Sequence, residues 1–253
     1  MFFEMKIRSA ELKKETSVSV LLPNKAQPPY KTLWLLHGLS GNHTDWVRKS
    51  SIERYAAEHN LAVIMPDADR SWYTNTAYEL NYFNYVAYEL PDICRRVFNG
   101  LSDKREYNIV AGLSMGGYGA LKLALACPES YCACASLSGS LDITRKGRPC
   151  NLSEWRSIFG FDIESPLELE GSEHDLFLLS SKNAAAGVSL PSLYLWCGTE
   201  DSLIRVNRDF DRHLTELGVE HKYEESEGDH SWKWWDLHIQ SALAYFKSSS
   251  IIE

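Results

Sequence analysis

The sequence predicts an α/β fold: one domain with a mostly parallel central sheet, helices on both faces, an antiparallel meander of strands at the N-terminus and one small cap insertion. Two observations carry this. After His37, strand-like apolar runs alternate with helix-length ones, and such alternation builds a parallel sheet whose crossovers cover both faces. Before it, three strand-like runs follow one another across short polar links, as in a meander. At 253 residues the chain suits a single large domain with a sizeable core.

The opening strands are expected at Phe3–Ser9, Thr16–Leu22 and Thr32–His37, with Pro28-Pro29 in the second link. A helix over 51–59 and a strand over Leu61–Pro66 come next. A longer helix over Tyr82–Phe98 should kink at Pro91, which has no N–H to give. Residues 107–111 form a strand that runs straight into Gly-Leu-Ser-Met-Gly-Gly (112–117) and then into a helix of small and apolar residues. The later elements are strands at Cys132–Ser138, Ser192–Gly198 and His221–Glu225, and helices at Arg205–Leu217 and Trp232–Phe246. Residues 141–186 break the rhythm, being polar and without a strand. Long irregular stretches inside a compact domain are commonly lids or binding segments, so a helical cap over the site is expected there. The bland alternative is a peripheral excursion.

A net charge of −8 without a Lys/Arg cluster argues against nucleic acid and anionic membrane surfaces as partners. The apolar stretches are strand-sized, too short to span a membrane. The first residues carry charges where a signal peptide needs an apolar segment, so a cytoplasmic location is expected. The six cysteines, Cys94, Cys127, Cys132, Cys134, Cys150 and Cys197, lie mostly inside apolar runs and read as reduced buried thiols. Cys132 and Cys134 would share a face of a regular strand, but no third ligand stands near them. No metal, phosphate-loop or dinucleotide motif occurs, and no cofactor is expected.

The strand–Ser114–helix segment is a nucleophile elbow: a tight strand-to-helix turn needs glycine two positions either side of its apex. A serine needs a base, and the base an orienting acid, in the chain order Ser, Asp or Glu, His. Of the histidines that follow, His174 lies in the cap, His213 and His238 in helices, and His221 opens a strand. His230 alone sits in a loop past a strand, free to swing towards Ser114. For the acid, the turn after Ser192–Gly198 offers Glu200 and Asp201; Asp201 is preferred, against the plain role of a helix cap. Asp229 is poorly placed to bond its own neighbour. The oxyanion hole needs two backbone donors: Met115 N–H, and Leu39 N–H from the loop His37–Asn42. Their side chains would then be free to line the pocket. His37 precedes the nucleophile and is expected to anchor that loop. Trp72, Tyr73 and Trp232 are candidate walls of a small acyl pocket.

With these residues in place, the chain resembles the esterase D / tributyrin esterase group of α/β-hydrolases, related to S-formylglutathione hydrolases and mycolyl transferases. The matching segments are Leu-Leu-His-Gly-Leu-Ser-Gly-Asn-His (35–43), Ser-Trp-Tyr-Thr (71–74), Gly-Leu-Ser-Met-Gly-Gly-Tyr-Gly (112–119), Cys-Gly-Thr-Glu-Asp (197–201) and Asp-His-Ser-Trp-Lys-Trp-Trp (229–235). They span nearly the whole chain in family order. The resemblance implies a cofactor-free serine esterase active on short acyl esters and supports Ser114, Asp201 and His230 with Leu39 and Met115; a pocket walled by Trp72, Tyr73 and the 141–186 segment would narrow this to acetyl to butyryl. The formylglutathione enzymes carry histidine after the Gly-Gly of the elbow, where Tyr118 stands here, which weakens that substrate reading. A thioesterase of that type, an acyltransferase and an inactive binding module are the alternatives. A homo-oligomer is compatible with the sequence, which does not fix the oligomeric state.

Overall fold

The computed structural model describes residues 1–24, 26–144 and 151–252. Eight strands form one sheet: β1 Phe2–Ser9, β2 Lys14–Leu21, β3 Thr32–Leu36, β4 Ala62–Pro66, β5 Asn108–Leu113, β6 Ala133–Leu137, β7 Ser192–Gly198 and β8 His221–Ser226, in the order β1-β2-β4-β3-β5-β6-β7-β8. β1 pairs with β2, and β2 with β4, antiparallel; all later pairings are parallel. The N-terminal hairpin is as expected, but β3 does not continue the meander. It crosses over to lie between β4 and β5, parallel to both. Its run Thr-Leu-Trp-Leu-Leu is buried throughout, and a strand covered on both faces belongs inside a parallel sheet.

The helices are α1 Asp45–Lys49, α2 Ile52–Glu58, α3 Tyr82–Asn84, α4 Leu90–Val97, α5 Met115–Ala126, α6 Leu152–Phe159, α7 Leu176–Ala185, α8 Ile204–Glu216 and α9 Trp232–Ser248. Between α3 and α4 the chain stays helical but widens into a π turn over Tyr85–Glu89, where Leu90 N–H bonds Tyr85 O. That turn precedes Pro91, whose ring would clash with the carbonyl four residues back in a regular helix. The expected kink is taken up as this widening.

Alternating strand residues divide the core. Trp34, Leu36, Val110, Cys134 and Leu195 pack with α4, α5 and α8 on one face. Leu33, Leu35, Ala111, Ala135 and Trp196 pack with α1, α2 and α9 on the other. Cys134 belongs to the first face, while Cys132, just ahead of β6, packs against the second. The strand's alternation therefore does not extend to Cys132. Cys150 lies outside the described residues; the five others are free thiols.

The described part of 141–186 contains α6, α7 and a short 3-10 turn at Pro166–Leu169. It is seated on the loop after β4 and on α5. Trp155 lies 5.8 Å from Trp72, Ala77 N–H donates to Ile158 O at 2.9 Å, and Tyr118 Oη donates to His174 O at 2.9 Å. No helix among the described residues is long and apolar enough to cross a membrane.

Candidate active site

The residues singled out from the sequence all follow carboxyl ends of strands: His37 and Leu39 after β3, Trp72 and Tyr73 after β4, Ser114 after β5, Asp201 after β7 and His230 after β8. Ligands gather at this end of open α/β sheets.

Ser114 adopts φ 54° and ψ −117°, a sparsely populated conformation that costs a non-glycine residue about 1–3 kcal/mol. Its neighbours hold it there. Its N–H donates to Leu137 O at 3.0 Å, and its carbonyl accepts the Tyr118 and Ser140 N–H groups, each at 3.1 Å. The motif's glycines are steric necessities. A β-carbon on Gly112 would stand 2.3 Å from Gly116 O, and one on Gly116 would stand 2.5 Å from Leu36 O.

The turn lifts Ser114 Oγ to 2.9 Å from His230 Nε2, and His230 Nδ1 lies 2.8 Å from Asp201 Oδ2. A carboxylate only accepts, so Nδ1 carries the proton and Nε2 is left to accept from the serine. Burial alone would raise the Asp201 carboxyl; the bonds from His230 and Leu203 N–H outweigh it and hold the group below its ordinary range. Asp201 Oδ1 takes the Leu203 N–H at 2.8 Å. The capping bond and the bond to histidine therefore coexist, one on each oxygen. Glu200 faces the other way, its carboxylate accepting the Gly228 N–H at 2.7 Å, and Asp229 accepts from the Ser231 hydroxyl.

The other late histidines have partners elsewhere. His174 Nδ1 lies 3.0 Å from Lys122 Nζ, His213 Nε2 lies 3.0 Å from Phe177 O, and His221 Nε2 lies 2.9 Å from Asp211. His238 stacks on Trp196 with centroids 3.8 Å apart.

Met115 opens α5, so its N–H is among the first-turn donors that a helix leaves unpaired. Its side chain is fully buried in the core, which corrects the expectation that it lines the pocket. Leu39 does border the cavity beside Ser114. His37 anchors the loop as expected: Nε2 accepts the Ala68 N–H at 2.9 Å, so Nδ1–H donates to Gly38 O at 2.7 Å. Burial pushes its pKa down, which keeps the ring neutral.

Trp232 lines the cavity, but the other two aromatic candidates do not. Tyr73 is fully buried, and its hydroxyl donates to His37 O at 2.9 Å. It braces the loop after β3. Trp72 is 5% exposed and packs edge-on against Tyr118 at 5.8 Å. The cavity at Ser114 measures about 220 Å³ and is bounded by the loop after β3, Lys49, His230, Trp232 and Trp235. Trp235 was not anticipated, although it stands three residues from Trp232, the helical spacing that places both on one face. Glu200's tie to Gly228 had no sequence signal, because it joins two loops distant in the chain. A larger cavity of about 630 Å³ opens at the far end of the sheet, near Ser192 and Glu220, away from these groups.

An elbow serine, a histidine and a buried aspartate in one hydrogen-bonded line, on a mostly parallel sheet, define a serine hydrolase of the α/β-hydrolase class. Residues 9–246 match the model of the Esterase family, described as "Putative esterase", and the chain belongs to that family. It is 33% identical to an acetyl esterase of Caldicellulosiruptor saccharolyticus over 96% of both chains. Among solved structures it is similar to FphF, a fluorophosphonate-binding serine hydrolase of Staphylococcus aureus, with 35% identity, 97% of both chains covered and a TM-score of 0.88. It is also similar to an S-formylglutathione hydrolase, FrmB, of the same organism, with 34% identity, 97% of this chain and 98% of that one covered, and a TM-score of 0.85. The protein is an esterase of the serine hydrolase type.

Proposed function

We propose that the protein is a carboxylesterase that hydrolyses short-chain acyl esters, acetyl to butyryl, through Ser114, His230 and Asp201. The observation that carries this reading is the unbroken line from Ser114 Oγ to His230 at 2.9 Å and on to Asp201 at 2.8 Å. Ser114 attacks the ester carbonyl as His230 Nε2 takes its proton. The Leu39 and Met115 N–H groups receive the oxyanion, and His230 returns the proton to the departing alcohol. Water, activated by the same histidine, then releases the acid from the acyl-enzyme. Asp201 keeps the ring oriented and steadies the imidazolium that forms.

The 141–186 insertion acts in this reading as a cap held on the loop after β4, supported by the bidentate Arg70–Glu154 pair and by Trp155 against Trp72. Five free thiols fit a reducing, cytoplasmic compartment. A thioesterase reading has one observation in its favour, the similarity to FrmB. Against it stands Tyr118, which is fully buried and occupies the position where the formylglutathione enzymes carry histidine.

The test is kcat/KM on p-nitrophenyl esters from acetyl to octanoyl, with S-formylglutathione alongside. Highest values on acetyl to butyryl esters support the esterase. A value on S-formylglutathione exceeding all of them by a hundredfold or so would make it a thioesterase.

A further inference from the structure

The turn after β6 is bonded to both ends of the Ser114–His230–Asp201 line. Leu137 O accepts the Ser114 N–H at 3.0 Å, and the Ser140 N–H donates to Ser114 O at 3.1 Å. Between these two bonds, Gly139 O accepts from Asn207 Nδ2 at 2.9 Å, and the same amide donates to Leu203 O at 2.9 Å. Asn207 is fully buried on α8, and Leu203 is the residue whose N–H caps Asp201. The backbone of 137–140 is thereby fixed against the nucleophile on one side and against the turn of the acid on the other.

Ser138 stands in the middle of this turn. Its N–H donates to Trp196 O on β7 at 2.7 Å, and it adopts φ 47°, a left-handed conformation that costs a residue with a β-carbon. The side chain is fully buried, and Oγ has no hydrogen-bond partner of ordinary geometry among the described residues. Buried hydroxyls in native folds are paired in the large majority of cases, and a hydroxyl proton rotates to suit its acceptor. Two acids lie within its reach. Burial pushes the Asp201 carboxyl up, and Ser138 joins His230 and the Leu203 N–H in holding it down. Burial first, and then the Asp201 charge, push the Cys197 thiol up, against a smaller pull from the same hydroxyl. The thiol therefore stays protonated and is a weak acceptor, whereas a carboxylate is a strong one. Arg208 and Glu225, the other charges acting on Cys197, are spent on each other in a bidentate pair at 2.7 and 2.6 Å.

We infer that Ser138 is a positioning residue for the reaction: its hydroxyl donates to the fully buried Asp201 carboxylate and, from a turn tied to Ser114, keeps that acid in line with His230. This rests on the esterase reading above.

The test measures kcat, KM and the pH profile on p-nitrophenyl acetate for Ser138→Ala and Ser138→Gly. Both remove the hydroxyl. Alanine keeps the β-carbon, while glycine takes φ 47° without strain and carries the test should Ser138→Ala unfold. Each should lower kcat about tenfold, in the range of one hydrogen bond to a charged group, and leave KM within about twofold, because Ser138 does not border the cavity at Ser114. The carboxylate accepts the hydroxyl more strongly while His230 is neutral than once an imidazolium offsets its charge. Losing the bond therefore favours the imidazolium, and the acid limb of kcat/KM should move up by about half a pH unit. A kcat that falls while the limb stays in place would mean a structural part only, and overturns the role. So would a parental kcat in either folded variant, since both lack the hydroxyl. A parent without turnover on this ester would overturn the esterase reading, and the role of Ser138 with it.

Discussion

Glu200 and Gly228 are joined twice: Glu200 Oε2 accepts the Gly228 N–H at 2.7 Å, and the Glu200 N–H donates to Gly228 O at 3.0 Å. The turn that carries Asp201 is thereby fastened to the loop that carries His230. The Gly228 N–H and then the Thr199 hydroxyl hold the Glu200 carboxyl below its ordinary value. Glu200→Ala should lower kcat about three- to tenfold with an unchanged fold, the cost of loosening one hydrogen-bonded support. Glu200→Gln keeps an acceptor and should recover most of it. Equal rates for Glu200→Ala and the parent would show that the tie does not position His230.

Asp201→Asn is a different kind of change. It keeps the shape but lets the histidine adopt the wrong tautomer, and should cost about 10²–10⁴ in kcat. A mild Asp201→Asn beside a crippling Glu200→Gln would move the acid by one residue.

Stability should fall with acid before the carboxylates titrate. Burial first, then the nearby Lys122, hold His174 down to about 3, and burial holds His238 down to about 4, from an ordinary 6.5. Between about 6.5 and 4 the unfolded chain takes up protons that the folded one refuses, so stability drops as pH is lowered through that window. Lys122, buried on α5 beside Thr74 and His174, is pushed down to about 7 by burial. Between about 7 and 9 the unfolded chain again holds the extra proton, so stability rises with pH there; above 9 the thiols of Cys94, Cys134 and Cys197, pushed up from 9.0 by burial, act in the opposite direction. Melting temperatures across pH 4–9 check both slopes, and Lys122→Met should flatten the upper one. A melting temperature independent of pH from 7 to 9 in the parent would mean that this lysine keeps its charge in the folded protein.

Specificity for the acyl group should peak at acetyl to butyryl and fall by octanoyl. Each methylene that fits gains about 0.8 kcal/mol, and one that clashes loses more. Trp72→Ala is no probe of this pocket, because Trp72 does not border the cavity beside Ser114 and at 5% exposure its truncation should cost about 3–5 kcal/mol of stability. A preference for decanoyl esters in the parent would refute a short pocket and make the 141–186 segment a moving lid.

The elbow was legible in the sequence because its glycines are forced by contacts at 2.3 and 2.5 Å, and steric necessity leaves a local signature. Asp201 and His230 were legible because the loops leaving the carboxyl ends of neighbouring parallel strands lie together, and the side chains of Ser114, Asp201 and His230 do meet there. The position of β3 was missed because the short polar links before it suggested a meander, although its nearly continuous apolar run is the mark of an interior parallel strand. Tyr73 and Trp72 were misplaced because an aromatic residue looks the same in sequence whether it lines a pocket or fills the core. Lys122, in the run Ala-Leu-Lys-Leu-Ala (120–124), and the Glu200–Gly228 tie depend on what packs against them, which composition does not encode.

The most direct measurement is covalent labelling by a fluorophosphonate probe, followed by peptide mapping and by turnover of Ser114→Ala on p-nitrophenyl acetate. The account predicts a single labelled residue, Ser114, and a variant that folds, takes no label and has lost about 10⁶ in kcat, as when the triad serine of a serine protease is removed. Label on another serine, or a Ser114→Ala variant within tenfold of the parent, would contradict it.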